Sequence, residues 1–167
     1  PRWFVIENVP EFLKWTLYPS FLDALHRLGY KVSPEIMNAA DYGVPQTRTR
    51  LYLRGQRRTM PRPMPLSLRA REMVPASRIL DIDKGKFRSV VGRVQKTQDW
   101  IKQGRAKYGD VFLLKYYGKG GPRSIHAPLG TVTTRDRHAL VRGDEMRMVN
   151  VPELRRAMTL PDSYVLT

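Results

Sequence analysis

The sequence predicts an α/β fold, because strand-like and helix-like segments follow one another near its start. Residues 3–6 (Trp-Phe-Val-Ile) form a short apolar run that favours a buried strand and stops at Glu-Asn-Val-Pro. Apolar side chains then recur at helical spacing over residues 18–29, where Gly29 is a typical helix stop. Residues 30–37 and 51–53 favour two further strands. This order predicts part of an α/β sheet rather than a whole one.

The composition changes after this first part. Residues 57–75 place four prolines among several arginines, which predicts an extended and positively charged linker. Beyond the linker, the pattern predicts a helix over residues 87–107 with valines and Ile101 on one side. Strands are predicted over residues 111–117, 131–134 and 139–141, a Gly-rich turn over 118–122, and a last helix over 151–158.

Charge and composition narrow the function classes. Thirty Lys and Arg against fifteen Asp and Glu give a formal charge of +15, and 41% of the residues are hydrophobic. Such a chain can fold, and its charge favours a polyanion as partner, nucleic acid before membrane. No apolar run approaches the roughly 20 residues that a membrane helix needs. The alternative interpretation of the charge is a basic soluble protein of the ribosomal type.

The absence of cysteine and the spacing of the histidines limit the kinds of site that the chain can form. The chain contains no cysteine, which excludes disulfides, thiolate metal sites and a cysteine nucleophile within these residues. His26, His126 and His138 show no metal-ligand spacing, so we interpret all three as structural or surface residues and expect no metal.

Glu7 and the segment 46–50 are the candidate chemical groups. Glu7 follows a predicted strand, where open α/β sheets place ligand-binding groups; the alternative is a carboxylate that caps the next helix. On an extended chain Gln46, Arg48 and Arg50 share one face. Adjacent guanidinium groups repel each other unless an anion or a group rich in acceptors lies before them. The alternative is a solvated, basic edge strand.

These stretches together resemble the DNA (cytosine-5) methyltransferases. Residues 4–9 (Phe-Val-Ile-Glu-Asn-Val) match the Glu-Asn-Val motif of that family, and residues 42–50 (Tyr-Gly-Val-Pro-Gln-Thr-Arg-Thr-Arg) match its Gln-x-Arg-x-Arg motif. Residues 128–138 resemble the segment that closes the target-recognition region. Residues 147–164 resemble the Arg-Glu-x-x-Arg helix and the Pro-Asp that follow it. The motifs occur in the family's order and span nearly the whole chain.

The resemblance implies a fold and a division of the chain. The fold is part of a Rossmann-like methyltransferase core with a mixed sheet, whose third strand is reversed, followed by a small mixed α/β target-recognition lobe. Residues 1–57 would belong to the core, 58–145 to the lobe with its linker, and 146–167 to a helix and loop that return towards the core. Cutting this fold before Glu7 leaves the first strand without a neighbour. We therefore expect a homodimer through the exposed sheet edge, strand swapping or poor solubility, which light scattering would test.

The resemblance also implies roles for particular residues. The target cytosine is flipped out of the duplex, a cysteine thiolate adds to carbon 6, and carbon 5 accepts the methyl group of S-adenosylmethionine. Glu7 matches the carboxylate that holds the N3/N4 edge of the base and favours protonation at N3. Arg50 matches the guanidinium that holds O2, with Arg48 beside it contacting the catalytic loop or the DNA backbone. Asn8 is expected to brace the turn after the strand.

The region between residues 55 and 147 corresponds to the family's variable region, which reads double-stranded DNA. Cations combine there with aromatic and hydroxyl side chains that suit phosphates and base edges. The candidate DNA-binding residues, besides Gln46, are Lys115, Tyr116, Tyr117, Lys119, Arg123, Thr133, Thr134, Arg135 and Arg137. The alternative is that Tyr116 and Tyr117 pack against the helix predicted at 87–107 and that the charges are merely solvated.

The sequence departs from the family in what it lacks. The Gly-rich loop that holds S-adenosylmethionine, its acidic ribose-binding residue, the Pro-Cys loop and the last Gly-Asn-Ala/Ser-Val motif are not found. We therefore expect the cofactor to be bound mainly by a missing N-terminal half, in the same chain or in a separate subunit, and this chain alone to be inactive.

The alternatives to this function are a non-catalytic DNA-binding remnant and the recognition subunit of a split enzyme. A basic RNA-binding domain is disfavoured because no RNA-binding motif is present. We expect a cytoplasmic protein associated with a bacterial or phage nucleoid.

Overall fold

The computed structural model describes residues 1–59, 72–116, 120–135, 137–161 and 163–164. The first part is a three-stranded sheet of β1 (Trp3–Asn8), β2 (Tyr30–Asn38) and β3 (Thr49–Arg57). Its strand order is β1–β3–β2, and β3 runs antiparallel to both neighbours. Helix α1 (Tyr18–Arg27) connects β1 to β2. The α/β class and the reversed third strand are confirmed.

The two faces of this sheet differ in chemistry because side chains alternate along β3. Leu51 and Leu53 are fully buried on one face, while Arg50, Tyr52 and Arg54 point to the other. On the apolar face, the ring of Phe4 lies directly over Gly55, and any side chain at position 55 would collide with it. The buried leucines therefore fix which face of β3 presents its arginines.

The second part is a five-stranded antiparallel sheet. Its strands are β4 (Arg88–Ser89), β5 (Val111–Lys115), β6 (Gly121–Arg123), β7 (His138–Arg142) and β8 (Glu145–Met148), in the order β4–β8–β7–β5–β6.

The two faces of the second sheet carry separate cores. Helix α2 (Gln95–Tyr108) covers one face, where Ile101 packs among Phe112, Leu114 and Met146. Helix α3 (Val151–Ala157) covers the other, where Ala157 packs with Leu113 and Leu140. The helices therefore hold the strand ends that carry the predicted recognition residues.

The predicted helix over 87–107 is wrong at its start, since α2 begins only at Gln95. Val90 is buried, but Val91 and Val94 are 79% and 72% exposed and do not face the core. Gly92 has a φ of +79°, a left-handed conformation that no helix accommodates. The helical spacing of the valines was therefore misleading, because these residues belong to a turn and not to a helix.

Other local predictions also changed. Residues 131–134 form no strand, because their polar groups bond to residues 46 and 47 instead of to a sheet. Strands β4, β6 and β8 were not predicted, and β5 ends at Lys115, before the predicted end at residue 117. Most of the predicted linker, together with Tyr117 and Lys119, lies outside the described residues.

The division of the chain at residues 57 and 145 stays a prediction. β8 joins the five-stranded sheet, and α3 packs on the same sheet. β1 pairs with β3 alone among the described strands, and Val5 on it is 65% exposed. Pairing of two chains through this edge also stays a prediction. No helix in the described ranges is long and apolar enough to cross a membrane.

Candidate functional site

Glu7 and Arg50 meet on the polar face of the three-stranded sheet. Arg50 Nε lies 2.9 Å from Glu7 Oε1, and Arg50 Nη1 also donates a hydrogen bond to the carbonyl of Thr49 at 2.8 Å. The Glu7 side chain is 49% exposed and that of Arg50 20% exposed. The two groups expected to hold a base thus lie side by side, with the carboxylate half-exposed and the guanidinium partly buried.

A second ion pair mirrors the first across the same strand. Glu7 and Glu35 both lie opposite Tyr52, one on β1 and one on β2. Glu35 Oε2 pairs with Arg54 Nη2 at 2.8 Å, and both side chains are about as exposed as the first pair. The sheet therefore presents two carboxylate–guanidinium pairs of similar chemistry, and only one of them lies beside the segment 45–48.

The Glu7–Arg50 pair is easy to open. Measured stabilities of ion pairs exposed to solvent are typically about 0–1 kcal/mol, since water competes for both charges. At 2.9 Å the two groups leave no space between them for another molecule. A change of side-chain rotamer that separates the two groups therefore costs little free energy.

Arg48 and Asn8 flank this pair. Arg48 is exposed and precedes β3, and its main chain is fixed by Asn38, whose side-chain oxygen accepts a hydrogen bond from the Arg48 N–H at 3.0 Å. The side-chain oxygen of Asn8 accepts a hydrogen bond from the N–H of Val9 at 2.8 Å. Asn8 therefore braces the end of β1, as the resemblance implied.

Gln46 does not share an exposed face with Arg48 and Arg50, so their predicted alignment is wrong. Its side chain is only 2% exposed, because β3 begins at Thr49 and Gln46 pairs instead with Leu129. Its Nε2 donates to the carbonyl of Ala157 at 3.3 Å, and its Oε1 accepts from the N–H of Val132 at 3.1 Å. Both ends of the amide are thus used within the chain.

Gln46 belongs to a seam, defined here as residues 45–47 together with residues 129–132. The N–H of Thr47 donates to the carbonyl of Leu129 at 2.7 Å, and the N–H of Leu129 donates to the carbonyl of Pro45 at 3.0 Å. Thr131 Oγ1 donates to the carbonyl of Thr47 at 2.8 Å. The seam fixes the arginines of residues 48–50 relative to the segment that begins at Thr133.

The recognition patch, defined as Lys115, Tyr116, Thr133, Thr134, Arg135 and Arg137, comes together next to the seam. The N–H of Tyr116 donates to the carbonyl of Arg137 at 2.9 Å, and Lys115 lies opposite His138. Thr133, Thr134 and Arg135 are exposed. Arg123 is exposed but lies opposite Leu113, further along the β5–β6 hairpin.

Tyr116 packs against α2, as the alternative interpretation held. Its ring meets that of Trp100 edge to face at 6.2 Å, and its hydroxyl lies 3.6 Å from the sulfur of Met146. Burial raises the pKa of this phenol, although Thr97 and Arg93 act in the opposite direction. Tyr116 therefore stays a neutral hydroxyl at neutral pH, with part of its surface left open.

A buried ion pair joins β8 to α3. Arg147 donates to both oxygens of Glu153, at 2.6 and 2.8 Å, and the Glu153 side chain is fully buried. The main-chain N–H groups of Asp81 and Asn150 also donate to this carboxylate, at 2.7 and 2.8 Å. Burial alone would raise the pKa of Glu153, but these four donors hold it below its usual range.

The network continues to Arg156. Its Nη2 lies 2.7 Å from Asp81 Oδ2, and this hydrogen bond lowers the pKa of Asp81. Arg156 Nε also donates to the carbonyl of Ile79 at 3.0 Å. These bonds join the segment after residue 75 to β8 and α3. The motif Arg147, Glu153 and Arg156 was visible in the sequence, but its structural role was not.

Comparison with known proteins decides the family. The profile of the C-5 cytosine-specific DNA methylases matches residues 1–167. The chain belongs to this family. Among the curated DNA methylases, the type II methyltransferase M.MthTI of Methanothermobacter thermautotrophicus is 32% identical over 165 residues, which is 90% of this chain and 47% of that protein. M.XorII of Xanthomonas oryzae pv. oryzae is 36% identical over 131 residues, 72% of this chain and 28% of that protein.

Solved structures agree on the fold. The Dnmt2 methyltransferase of S. pombe matches 98% of this chain with a TM-score of 0.57 at 15% identity. The methyltransferase EhMeth of Entamoeba histolytica matches 99% with a TM-score of 0.55 at 17% identity. This chain covers 55% and 52% of those two proteins. It thus spans about half or less of the length of the methylases that it matches.

A methylase of this family needs S-adenosylmethionine as its methyl donor. The described residues do not fit a site for this cofactor. The first part contains three glycines: Gly29 follows α1, Gly43 follows the 3₁₀ turn at residues 39–42, and Gly55 lies under the ring of Phe4. None of them lies in a loop that leads from a strand into a helix. The polar face of the sheet is occupied by the two ion pairs. Within the described ranges, no group of three His, Cys, Asp or Glu side chains could hold a metal ion.

Proposed function

We propose that this chain supplies the base-holding and DNA-recognition part of a DNA cytosine-5 methyltransferase of the type II restriction-modification kind. The observation that carries the proposal is the Glu7–Arg50 pair, which is partly exposed and lies next to a seam that leads directly into the recognition patch. A carboxylate and a guanidinium are the groups that complement the two polar sides of a cytosine ring. The family membership supports the same assignment.

Each residue of the pair has a defined task in this proposal. Once a thiolate adds to carbon 6 of the flipped cytosine, negative charge accumulates on the ring. Glu7 holds the N3/N4 edge and stabilises the proton on N3. Arg50 stabilises the charge at O2 through its guanidinium group. Arg48 is exposed beside them and is free to contact a phosphate or the catalytic loop.

The reacting thiolate must come from other residues, since these 167 residues contain no cysteine. The same holds for the methyl donor, S-adenosylmethionine, because the described residues do not fit it. We infer that these 167 residues alone bind DNA without methylating it. The recognition patch provides the DNA contacts, and Gln46 acts by positioning rather than by touching DNA.

The function is tested by the product that the full-length protein makes. We expect DNA from cells that express it to carry 5-methylcytosine at one short sequence, and bisulfite sequencing locates each modified base. Methylation of adenine, or of the amino group of cytosine, would contradict the proposal. If the full-length protein binds DNA but leaves it unmodified, the chain is a DNA-binding protein that does not catalyse the reaction.

A further inference from the structure

An open groove of about 590 Å³ lies between the start of α2 and the strands β4 and β8, of which β4 is at the edge of the sheet. Its rim is basic, with Lys86 and Arg88 on one side and Arg93 on the other. All three cations are exposed. The groove is separate from the Glu7–Arg50 pair, which lies on the other sheet.

The charge around this groove is uncompensated among the described residues. None of the lining residues is an Asp or Glu, and the described residues provide no carboxylate partner for the three rim cations. Arg147 also lines the groove, but Glu153 already neutralises it. Several cations around one concave surface repel each other and raise the local concentration of anions. The rim therefore favours an anionic ligand.

The floor of the groove is partly apolar, which places a second requirement on the ligand. Val94 is 72% exposed and Met148 36% exposed, while Met146 and Tyr116 close the base of the groove. The ligand must therefore carry an apolar part beside its charges. A sugar–phosphate chain has this composition, since each phosphate is followed by a deoxyribose whose carbon face packs against aliphatic side chains. A small inorganic anion would leave the apolar floor unused.

Two further features agree with a phosphate-bearing ligand. Helix α2 has 14 residues, no side-chain cap at its start and no acidic residue in its first turn, so the positive end of its dipole, which includes Val94 and Thr97, borders the groove without an acidic side chain in that turn. Tyr116 also belongs to both the groove and the recognition patch. The groove therefore adjoins the recognition patch at Tyr116.

We propose that this groove binds the sugar–phosphate backbone of the DNA duplex, with phosphates on Lys86, Arg88 and Arg93 and deoxyribose against Val94 and Met148. The proposal rests on the proposed function and extends its DNA interface to residues that the sequence motifs do not include. Because the contacts are to the backbone, the groove positions the DNA and strengthens binding to any sequence.

The test compares two double variants of the full-length protein. Arg88→Gln with Arg93→Gln removes two groove cations, and Lys14→Gln with Lys31→Gln removes two exposed cations from the first part of the chain. Both lose the same net charge. Affinity for a fluorescein-labelled duplex of random sequence is measured by anisotropy over a series of salt concentrations.

We expect the groove variant to bind about tenfold more weakly near 0.1 M salt, and the slope of log K against log salt to become shallower by about two, one for each lost phosphate contact. The control variant should change both quantities much less. Equal losses of affinity in the two variants would overturn the proposal for the groove, but not the proposal that the protein binds DNA. A wild-type protein that binds no duplex would overturn both the groove and the DNA-recognition function. Unchanged DNA binding with reduced folding stability would show that the groove contacts another part of the protein.

Discussion

Replacing Glu7 by Gln in the full-length protein is expected to lower the turnover of methyl transfer by about 100-fold or more, the range in which a positioned proton-transfer group acts. An amide keeps the size of the side chain but has no negative charge to stabilise a protonated N3. The affinity for DNA should change by less than about threefold, because one base contact is a small part of an interface dominated by phosphates. Single-turnover kinetics and anisotropy measure the two quantities separately.

The sheet itself provides the matched control for this variant. Glu35 lies opposite the same residue, Tyr52, and pairs with Arg54 as Glu7 pairs with Arg50. Glu35→Gln therefore removes the same charge and the same kind of ion pair from the same face. We expect it to leave turnover nearly unchanged. If Glu7→Gln reduces turnover and binding equally, or if Glu35→Gln matches it, the base-holding role of Glu7 is wrong.

Replacing Glu153 by Gln is expected to lower the free energy of unfolding by about 3 kcal/mol, a large part of the stability of an ordinary domain. The carboxylate accepts four hydrogen bonds in a fully buried position. A Gln side chain leaves the charge of Arg147 unpaired and turns an N–H₂ group towards donors. Urea unfolding followed by circular dichroism measures the change.

The acid dependence of stability provides a second measure. The folded state lowers the pKa of Glu153, so its contribution is complete above its unfolded pKa of roughly 4.3 and is lost as the pH falls through the folded value. The pKa of Asp81 is also lowered, so its contribution to stability is likewise lost as the pH falls. Glu153→Gln should therefore lose less stability on acidification than the wild type.

Glu145→Gln is the control for this buried pair. Glu145 is 49% exposed and lies 3.4 Å from Arg142, so its removal should cost less than about 1 kcal/mol. A cost for Glu153→Gln no larger than that of Glu145→Gln would contradict the assigned role of the network.

The elements of the first sheet were predictable because their signals are local. Residues 3–6 and 51–53 carry apolar runs, and Gly29 ends α1 next to the start of β2. Helix α3 was predictable too, since Asn150 and Glu153 form a capping box at its start. In each case the residues that form the element also determine where it begins or ends.

The parts that sequence reasoning missed depend on contacts between distant residues. The burial of Gln46 follows from its bonds to Val132 and Ala157, which no local spacing reveals. Arg147 and Glu153 are six positions apart, which places them on no common helix face, so their pairing needs β8 and α3 to be packed together. The groove has the same origin, because its lining comes from residues 86–97, Tyr116 and residues 146–148, which are distant in the sequence.

A crystal structure of the full-length protein with DNA that contains its methylation site would show directly whether Glu7 and Arg50 hold an extrahelical base. We expect the Glu7–Arg50 pair to be open, with a cytosine between the two side chains and hydrogen-bonded to both. A target cytosine that stays stacked in the duplex, or one bound elsewhere while the 2.9 Å pair remains closed, would contradict it.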